Sequence, residues 1–571
     1  MEPNAGPAEF LSALAQEYWE KRLADDPLFA TLLGDRRLDD RLPDITLEGR
    51  SRKEREFESI ISRCEAIPER GLSDGDRLTR TALLVDVRSL LEYSLCRLEE
   101  WVVDPLSGPQ VEFVNVESYQ PVRAPAEGRA MTKRWIAMGG YLDDHMANLR
   151  RGAAEDRVAV RACVEKAVDE VDELIAKPES EWAFLRPLAE SHDDWSRDER
   201  HEFREGLTGA VQNFLRPALV RYLEFLKSEV LPRARPQERP GIIYVPGGPE
   251  AYARLIRVHT SLDLTPEDLH QTGLREVARI NAEMEALGER VFGIRDRREI
   301  LHRLRTDPSL YFASGDEVAE KAEAALARAK AVIPRWFGRL PEADCEVVRM
   351  GEHEEKHSTV AYYRQPAADG SRPGRYYINT SAPETRPRYE AEALAYHESI
   401  PGHHLQIAIA QELEWIPEFR RNSGVTAFVE GWGLYSERLA DEVGLYSSDL
   451  DRIGVLSFDA WRACRLVVDT GMHAMRWTRA KAIEFMLVNT ALAENNIVNE
   501  VDRYITWPGQ ALAYKTGQLE MIRLRQEAKA ELGERFDIKE FHDALLGGGA
   551  VPLNALREMM KRYSRKSRPG W

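Results

Sequence analysis

The sequence predicts a mainly α-helical protein with one small β-sheet and a deep cleft, and three observations carry that prediction. Apolar residues recur at three- and four-residue intervals through long stretches such as Ala8 to Leu33 and Glu155 to Ile175, the spacing that lines one face of a helix. Helix starts are marked by a capping residue with an acid three positions on, as in Thr265-Pro266-Glu267-Asp268 and Ser314-Gly315-Asp316-Glu317. β-prone runs gather in one region, between about Cys345 and Thr380.

Taken in order, helical periodicity runs from the N-terminus to Val103-Asp104-Pro105-Leu106-Ser107-Gly108-Pro109, where prolines and a glycine read as a loop. A second break extends from Leu231-Pro232-Arg233-Ala234-Arg235-Pro236 to Pro246-Gly247-Gly248-Pro249. It divides the chain into an N-terminal helical half, 1–235, and a catalytic half, 236–571, expected to form one intertwined unit. The chain has 571 residues, enough for two or more cores wrapped around one cleft. Val347-Val348, Thr359 to Tyr363 and Arg375 to Thr380 supply the strands, the last two separated by the turn signals Asp369-Gly370 and Pro373-Gly374.

Composition narrows the function. A formal net charge of −17 disfavours nucleic acid or an anionic membrane as partner, since both require concentrated positive charge. The basic end, Lys561, Arg562, Arg565, Lys566 and Arg568, reads as a solvated tail. No apolar run approaches the roughly 20 residues of a membrane helix. The start, Met1 to Glu9, lacks the basic and apolar regions of a secretion signal, so a cytoplasmic location is expected. Five cysteines at wide spacings, without a C-x-x-C pair, argue against a disulfide framework and against a thiolate metal site.

The chemistry is concentrated in Tyr396-His397-Glu398-Ser399-Ile400-Pro401-Gly402-His403-His404-Leu405-Gln406. Neutral imidazoles are good zinc ligands, and a carboxylate beside the first ligand can take a proton from the attacking water. A regular zinc-binding helix reads H-E-x-x-H, which places two histidines on one face. Here the position four after His397 is Pro401. Six residues of unbroken helix rotate the chain by about 600° and advance it about 9 Å, so His397 and His403 meet only if the helix breaks. Proline and glycine supply that break, and the helix is expected to end near Ile400 and to resume at Pro401 as a first-turn residue. His403 is the favoured second ligand. His404, nearly on the face of His397 but about 10.5 Å further along a straight helix, is its rival.

A catalytic zinc takes three protein ligands, so a third is needed. Glu430 in Val425-Thr426-Ala427-Phe428-Val429-Glu430-Gly431-Trp432-Gly433 is the candidate, because an ionised carboxylate among Phe428, Val429 and Trp432 is costly to bury unless paired or metal-bound. Glu437, a heptad later, projects to a similar face and is placed to orient a ligand histidine.

With these motifs the chain resembles thimet oligopeptidase and its relatives, where H-E-F-G-H is followed by F-V-E; here H-E-S-I-P-G-H precedes Phe428-Val429-Glu430. The resemblance, which extends to angiotensin-converting enzyme and Taq carboxypeptidase types, implies a zincin-like peptidase fold with one zinc per chain. It implies His397, His403 and Glu430 as ligands and Glu398 as general base. A two-residue insertion keeps His404 in contention. Over most of its length the chain is more closely similar to the bacterial family called domain of unknown function 885, through H-E-x-x-P-G-H-H, E-G-W-G-L-Y, Val468-Asp469-Thr470-Gly471-Met472-His473 and Trp507 to Lys515. That family supplies a peptidase-like site and a helical fold, without a settled substrate.

Other groups are candidates for substrate and transition state. Resemblance to zinc peptidases with C-terminal tyrosine and histidine donors points to Tyr514, with His473 and Tyr504 as further candidates for steadying an oxyanion. It also suggests Tyr376 to Thr380 as an edge strand that pairs with an extended peptide, which places Tyr377 and Asn379 against substrate. Arg465, Asp469 and His473 fall at four-residue steps on one helix face. They form either a polar network with Arg465 available to a substrate carboxylate, or a structural Arg465–Asp469 ion pair. The expected function is zinc-dependent hydrolysis of short peptides. The alternatives are a metal-dependent amidase acting on a non-peptide amide, and a catalytically silent zinc-containing binding protein.

Overall fold

The computed structural model describes residues 6–351, 355, 359–367, 370 and 372–566. Met1 to Ala5, Asp369 and Arg568, which enter the expectations above, lie outside the described residues. Helix accounts for 71% of the chain and strand for 3%, so the architecture is mainly α with one small sheet.

The helices that matter for the site are α1 (Asp74–Leu95), α2 (Pro125–Ala154), α3 (Gly248–Thr260), α4 (Pro266–Phe292) and α5 (Gly315–Val332). After the sheet come α6 (Ala391–Glu398), α7 (His403–Gln411), α8 (Thr426–Glu442), α9 (Asp449–His473), α10 (Glu494–Thr506), α11 (Leu512–Leu532) and α12 (Leu553–Lys566). The predicted caps form as read. Thr265 accepts from the Asp268 N–H at the start of α4, and Ser314 accepts from the Glu317 N–H at the start of α5, which ties off two otherwise unpaired first-turn donors.

In the N-terminal part, α2 buries Met131, Trp135, Met138 and Leu142 at helical spacing into a core with Phe203, Leu207 and Leu219. Another cluster joins Cys96, Leu98 and Trp101 to Ile242, Leu255, Leu466 and Leu512, and Phe419 packs with Leu14, Tyr18 and Leu83. In the C-terminal part, α4 lies along α9 and α8 along α11. All five cysteines are buried and free. Among the described residues no helix is long and apolar enough to cross a membrane.

The three strands are β1 (Cys345–Arg349), β2 (Ala361–Arg364) and β3 (Gly374–Ile378), in the order β1-β3-β2. The parallel pairing of β1 with β3 and the antiparallel pairing of β2 with β3 occupy both sides of β3. This corrects the expectation that Tyr376 to Thr380 is an edge open to an incoming peptide. A strand paired on both sides has no free ladder of N–H and C=O groups to offer.

Helix α9 is buried almost all round: from Ile453 to His473 only Trp461 is less than fully enclosed. It nevertheless carries Asp459, Arg462, Arg465, Asp469 and His473. Buried polar groups need partners, and neighbouring elements supply them for Asp459, Arg465 and Asp469. Asp459 receives Lys515 at 2.6 Å and Arg279 at 3.2 Å, with Arg438 also bound to it, so α4, α8 and α11 are all tied to α9. Asp469 accepts from the Tyr252 hydroxyl at 2.6 Å and the Gly509 N–H at 3.2 Å. Arg465 donates to Glu500 at 2.9 Å and to the Tyr504 hydroxyl at 3.0 Å. The expected alternative of an Arg465–Asp469 pair is therefore not the arrangement found, because each finds a partner on another element.

Burial pushes the Asp469 carboxyl up to about 7, against the opposing pull of the Tyr252 and Gly509 hydrogen bonds. A carboxyl whose proton is held more tightly in the folded than in the unfolded state contributes stability fully below the unfolded value, near 4. It loses that contribution as pH rises towards 7. Asp469→Asn carries no such penalty, so its melting temperature should gain on the parent between pH 5.5 and pH 8.5, by about 2 kcal/mol in stability. A melting-temperature difference that is the same at both pH values would refute this account of Asp469.

Candidate metal centre

Helix α6 ends at Glu398, and α7 begins at His403 rather than at Pro401 as expected. The backbone leaves helical geometry at Ser399 (φ −107°, ψ −113°) and at Gly402 (φ −78°, ψ −130°), and the Ile400–Pro401 bond is cis. The turn is held from α8. Trp432 Nε1 donates to the carbonyls of Pro401 at 2.9 Å and Gly402 at 3.2 Å, and the Ser436 hydroxyl donates to Pro401 at 3.2 Å. A side chain on Gly402 would collide with the His397 carbonyl, so glycine is what allows the chain to fold back here.

The fold-back brings the His397 and His403 rings to 4.6 Å between centroids, edge to face. Glu430 on α8 closes the group, with Oε2 3.5 Å from His397 Nε2 and 3.7 Å from His403 Nε2. The three donor atoms lie within 4.8 Å of one another. Ligands about 2.0–2.1 Å from a tetrahedral zinc stand roughly 3.3 Å apart, so small side-chain adjustments suffice. His397 Nδ1 donates to Glu437 Oε1 at 2.7 Å, which leaves Nε2 as the ring nitrogen facing Glu430 and His403. His403 Nδ1 is buried without a hydrogen-bond partner in the protein. Gly433 is the other permissive position: a Cβ there would lie 2.5 Å from His397 Cε1, so only glycine lets α8 approach the ring this closely.

Burial opposes charge on all four groups, and their neighbours then separate them. Burial pushes Glu430 up, but the His397 hydrogen bond and the charges of His403, His397 and Arg465 more than offset it, leaving the carboxyl at about 2. His397 loses by burial and gains more from Glu430 and Glu437, reaching about 9. His403 is lowered to about 4 by burial and by His397. Glu398 is raised to about 7 by burial, against the pull of His397. A pair of carboxylates stabilising positive charge at His397, beside an uncharged His403, is a donor set that suits a divalent cation.

The remaining sequence candidates divide. His404 faces the sheet, where Nδ1 meets the Tyr363 hydroxyl at 3.0 Å and Nε2 meets the Ala343 carbonyl at 3.1 Å. Both nitrogens are occupied, so the structure groups His403, and not His404, with His397. His403→Ala is accordingly expected to abolish metal retention, and His404→Ala to retain metal while lowering the melting temperature; the reverse pattern in a metal assay would overturn this assignment. His473 likewise has both nitrogens engaged by backbone, Nδ1 by the Ile242 N–H at 3.0 Å and Nε2 at the Tyr504 carbonyl at 2.8 Å. It braces α9 against α10 and is not free to act on an oxyanion.

Asn379 is spent locally, donating to the Glu355 and Thr359 carbonyls and accepting from Ser381. Tyr377 stacks on Tyr362 of β2 at 4.8 Å. Neither is brought to the cluster. Tyr514, half-buried on α11, lies under the Arg465 guanidinium at 4.2 Å, and Arg465 acts on the charge of Glu430. Three residues on from Tyr514, α11 and α8 cross at bare backbone: a Cβ on Gly431 would stand 2.5 Å from the Gly517 Cα. Sequence reasoning missed Arg462, on α9 three residues before Arg465. The available signal was a second arginine one turn before Arg465, within the mostly apolar run Ile453 to Val468.

The match to known proteins follows this geometry. The family described as "Bacterial protein of unknown function (DUF885)" matches residues 27–560, and the chain belongs to it. No curated protein matches the chain. Among solved structures, one described as a "putative lipoprotein from Colwellia psychrerythraea" is 27% identical, with a TM-score of 0.91 over 98% of this chain and 100% of that one. Another, described as a "putative lipoprotein of unknown function from Shewanella oneidensis", is 18% identical with a TM-score of 0.72 at the same coverage, and bears on the fold alone.

Proposed function

We propose that this chain is a zinc-dependent hydrolase that cleaves amide bonds of short peptides. The observation that supports it is the convergence of His397, His403 and Glu430, with Glu437 fixing the first ring and Glu398 next to it in the chain. A structural zinc site is normally closed by four protein ligands; this donor set has three, which leaves a position for reacting groups. Bound zinc supplies a Lewis acid that polarises a carbonyl and makes water more acidic. Glu398 takes the proton of the attacking water and delivers it to the departing amine. Glu437 holds His397 in the tautomer that presents Nε2. Tyr514 donates its hydroxyl proton in a hydrogen bond to the oxygen that becomes negative.

Enclosure by α8, α9 and α11 favours thin, extended substrates, here free-ended peptides of roughly 2 to 15 residues. The test is metal analysis combined with mass spectrometry of a mixed library of peptides and small amides incubated with zinc-loaded protein. Peptide cleavage with folded proteins spared is expected. Turnover of a non-peptide amide alone would replace the peptidase reading with an amidase, and no turnover of either would remove hydrolysis altogether.

A further inference from the structure

Arg462 is a buried cation. It is 5% exposed, and among the described residues no carboxylate approaches it within ion-pair distance. Its Nε and Nη1 are buried and have no hydrogen-bond partner in the protein. The guanidinium lies against aromatic faces, 4.5 Å from the Phe458 ring and 4.2 Å from that of Trp461. Arg134, which is completely buried in the N-terminal core, shows what a structural arginine does instead: its nitrogens donate to Arg41, Gln120, Thr31 and Leu38. Leaving a guanidinium in a low-dielectric site with no acceptor costs several kcal/mol. A position that tolerates that cost is one where the missing acceptor arrives with a ligand.

Its surroundings say where that ligand sits. Arg462 feels the charge of Glu437 first and then that of Glu430, and its own charge acts on Glu398 and His403, so the guanidinium is within electrostatic reach of the candidate centre while, among the described residues, it is bonded to none of its members. Arg465 lies 4.5 Å from the same Trp461 ring, with its own Nη1 buried and unpartnered among the described residues. Glu500 cannot neutralise both, because it is already shared by Arg465 and Arg503.

We propose that Arg462, with Arg465 beside it, is the anchor for a terminal carboxylate of the substrate, so that the reaction is directed to peptides with a free C-terminus and to bonds near that end. This rests on the hydrolase reading above and names its substrate class. A carboxylate accepts from several N–H donors at once, and guanidinium supplies them in a planar array. Phe458 and Trp461 hold the Arg462 plane, so little side-chain freedom is lost on binding. Arg462 is a binding residue, not one that moves a proton.

The experiment compares an acetyl-capped tripeptide as free acid with the same tripeptide as its C-terminal amide, and with a third that has an acidic penultimate side chain and an amidated end. On zinc-loaded parent protein, kcat/KM for the free acid is expected to exceed that for either amide by tenfold or more. In Arg462→Gln the acid-to-amide ratio falls to near one, and Arg462→Lys, which keeps charge but loses the planar array, falls between. Preference for the acidic side chain over the free terminus, or equal rates for acid and amide in the parent, overturns the proposal without any variant. Calorimetry on Glu398→Gln protein with the same three ligands gives a readout without turnover. Tight binding of the free acid alone, lost in the Arg462→Gln double variant, supports the anchor even if no peptide is ever cleaved, in which case only the hydrolase reading fails. Equal binding of acid and amide overturns the anchor whatever the activity.

Discussion

Glu398→Gln is expected to keep the fold and the zinc and to lose hydrolysis by at least 10²–10⁴-fold, the usual contribution of a positioned general base. Glutamine has the shape of glutamate and cannot accept the proton of the attacking water. The substitution is a clean test here because Glu398 closes α6 without a structural hydrogen bond of its own to lose, while the turn that follows is held by Trp432 and Ser436. The anchor of α6 is elsewhere, at buried Glu392, which accepts the Ser447 N–H at 2.9 Å and pairs with Lys321 and Arg328. The loss should therefore appear in kcat, with substrate affinity close to the parent. A variant that retains zinc and hydrolyses peptides within a few-fold of the parent would remove Glu398 from the mechanism.

What the sequence made legible was local. Thr265 and Ser314 announce their helices because a cap is decided within four residues. The break between His397 and His403 was readable for the same reason, although proline alone does not say that the next helix starts two residues later, at His403. Non-local pairing was not legible. The run Gly374–Ile378 looks equally strand-like at an edge or a centre, and only the arrival of Cys345–Arg349 on its open side decides the matter. Helical spacing put Arg465 and Asp469 on one face, but Glu500 and Tyr252, from other elements, outcompeted the pairing that spacing suggests. Periodicity likewise cannot tell His473, bonded on both nitrogens to backbone, from a histidine free to act. Arg462 is the extreme case, since what sets it apart is that its Nε and Nη1 find no partner among the described residues, which no local pattern encodes.

Metal retention should fail in a graded order that follows the geometry of the cluster. Parent protein is expected to carry about one zinc per chain, and His397→Ala and Glu430→Ala to carry essentially none, because two remaining ligands hold zinc poorly. Glu437→Gln should retain zinc with affinity reduced about 10–100-fold, since it removes the carboxylate that orients His397 and leaves the three donors in place. Thermal stability supplies a second measurement that does not depend on activity. Zinc at 1,000 times its dissociation constant stabilises the folded state by about 4 kcal/mol, so a chelator should lower the melting temperature of the parent. The same chelator should leave His397→Ala and Glu430→Ala unmoved, because they have no zinc to give up, whereas Glu437→Gln should respond at a lower chelator concentration than the parent. If both alanine variants keep the stoichiometry of the parent and still respond to chelator, the ion sits elsewhere and the assignment of His397, His403 and Glu430 is wrong.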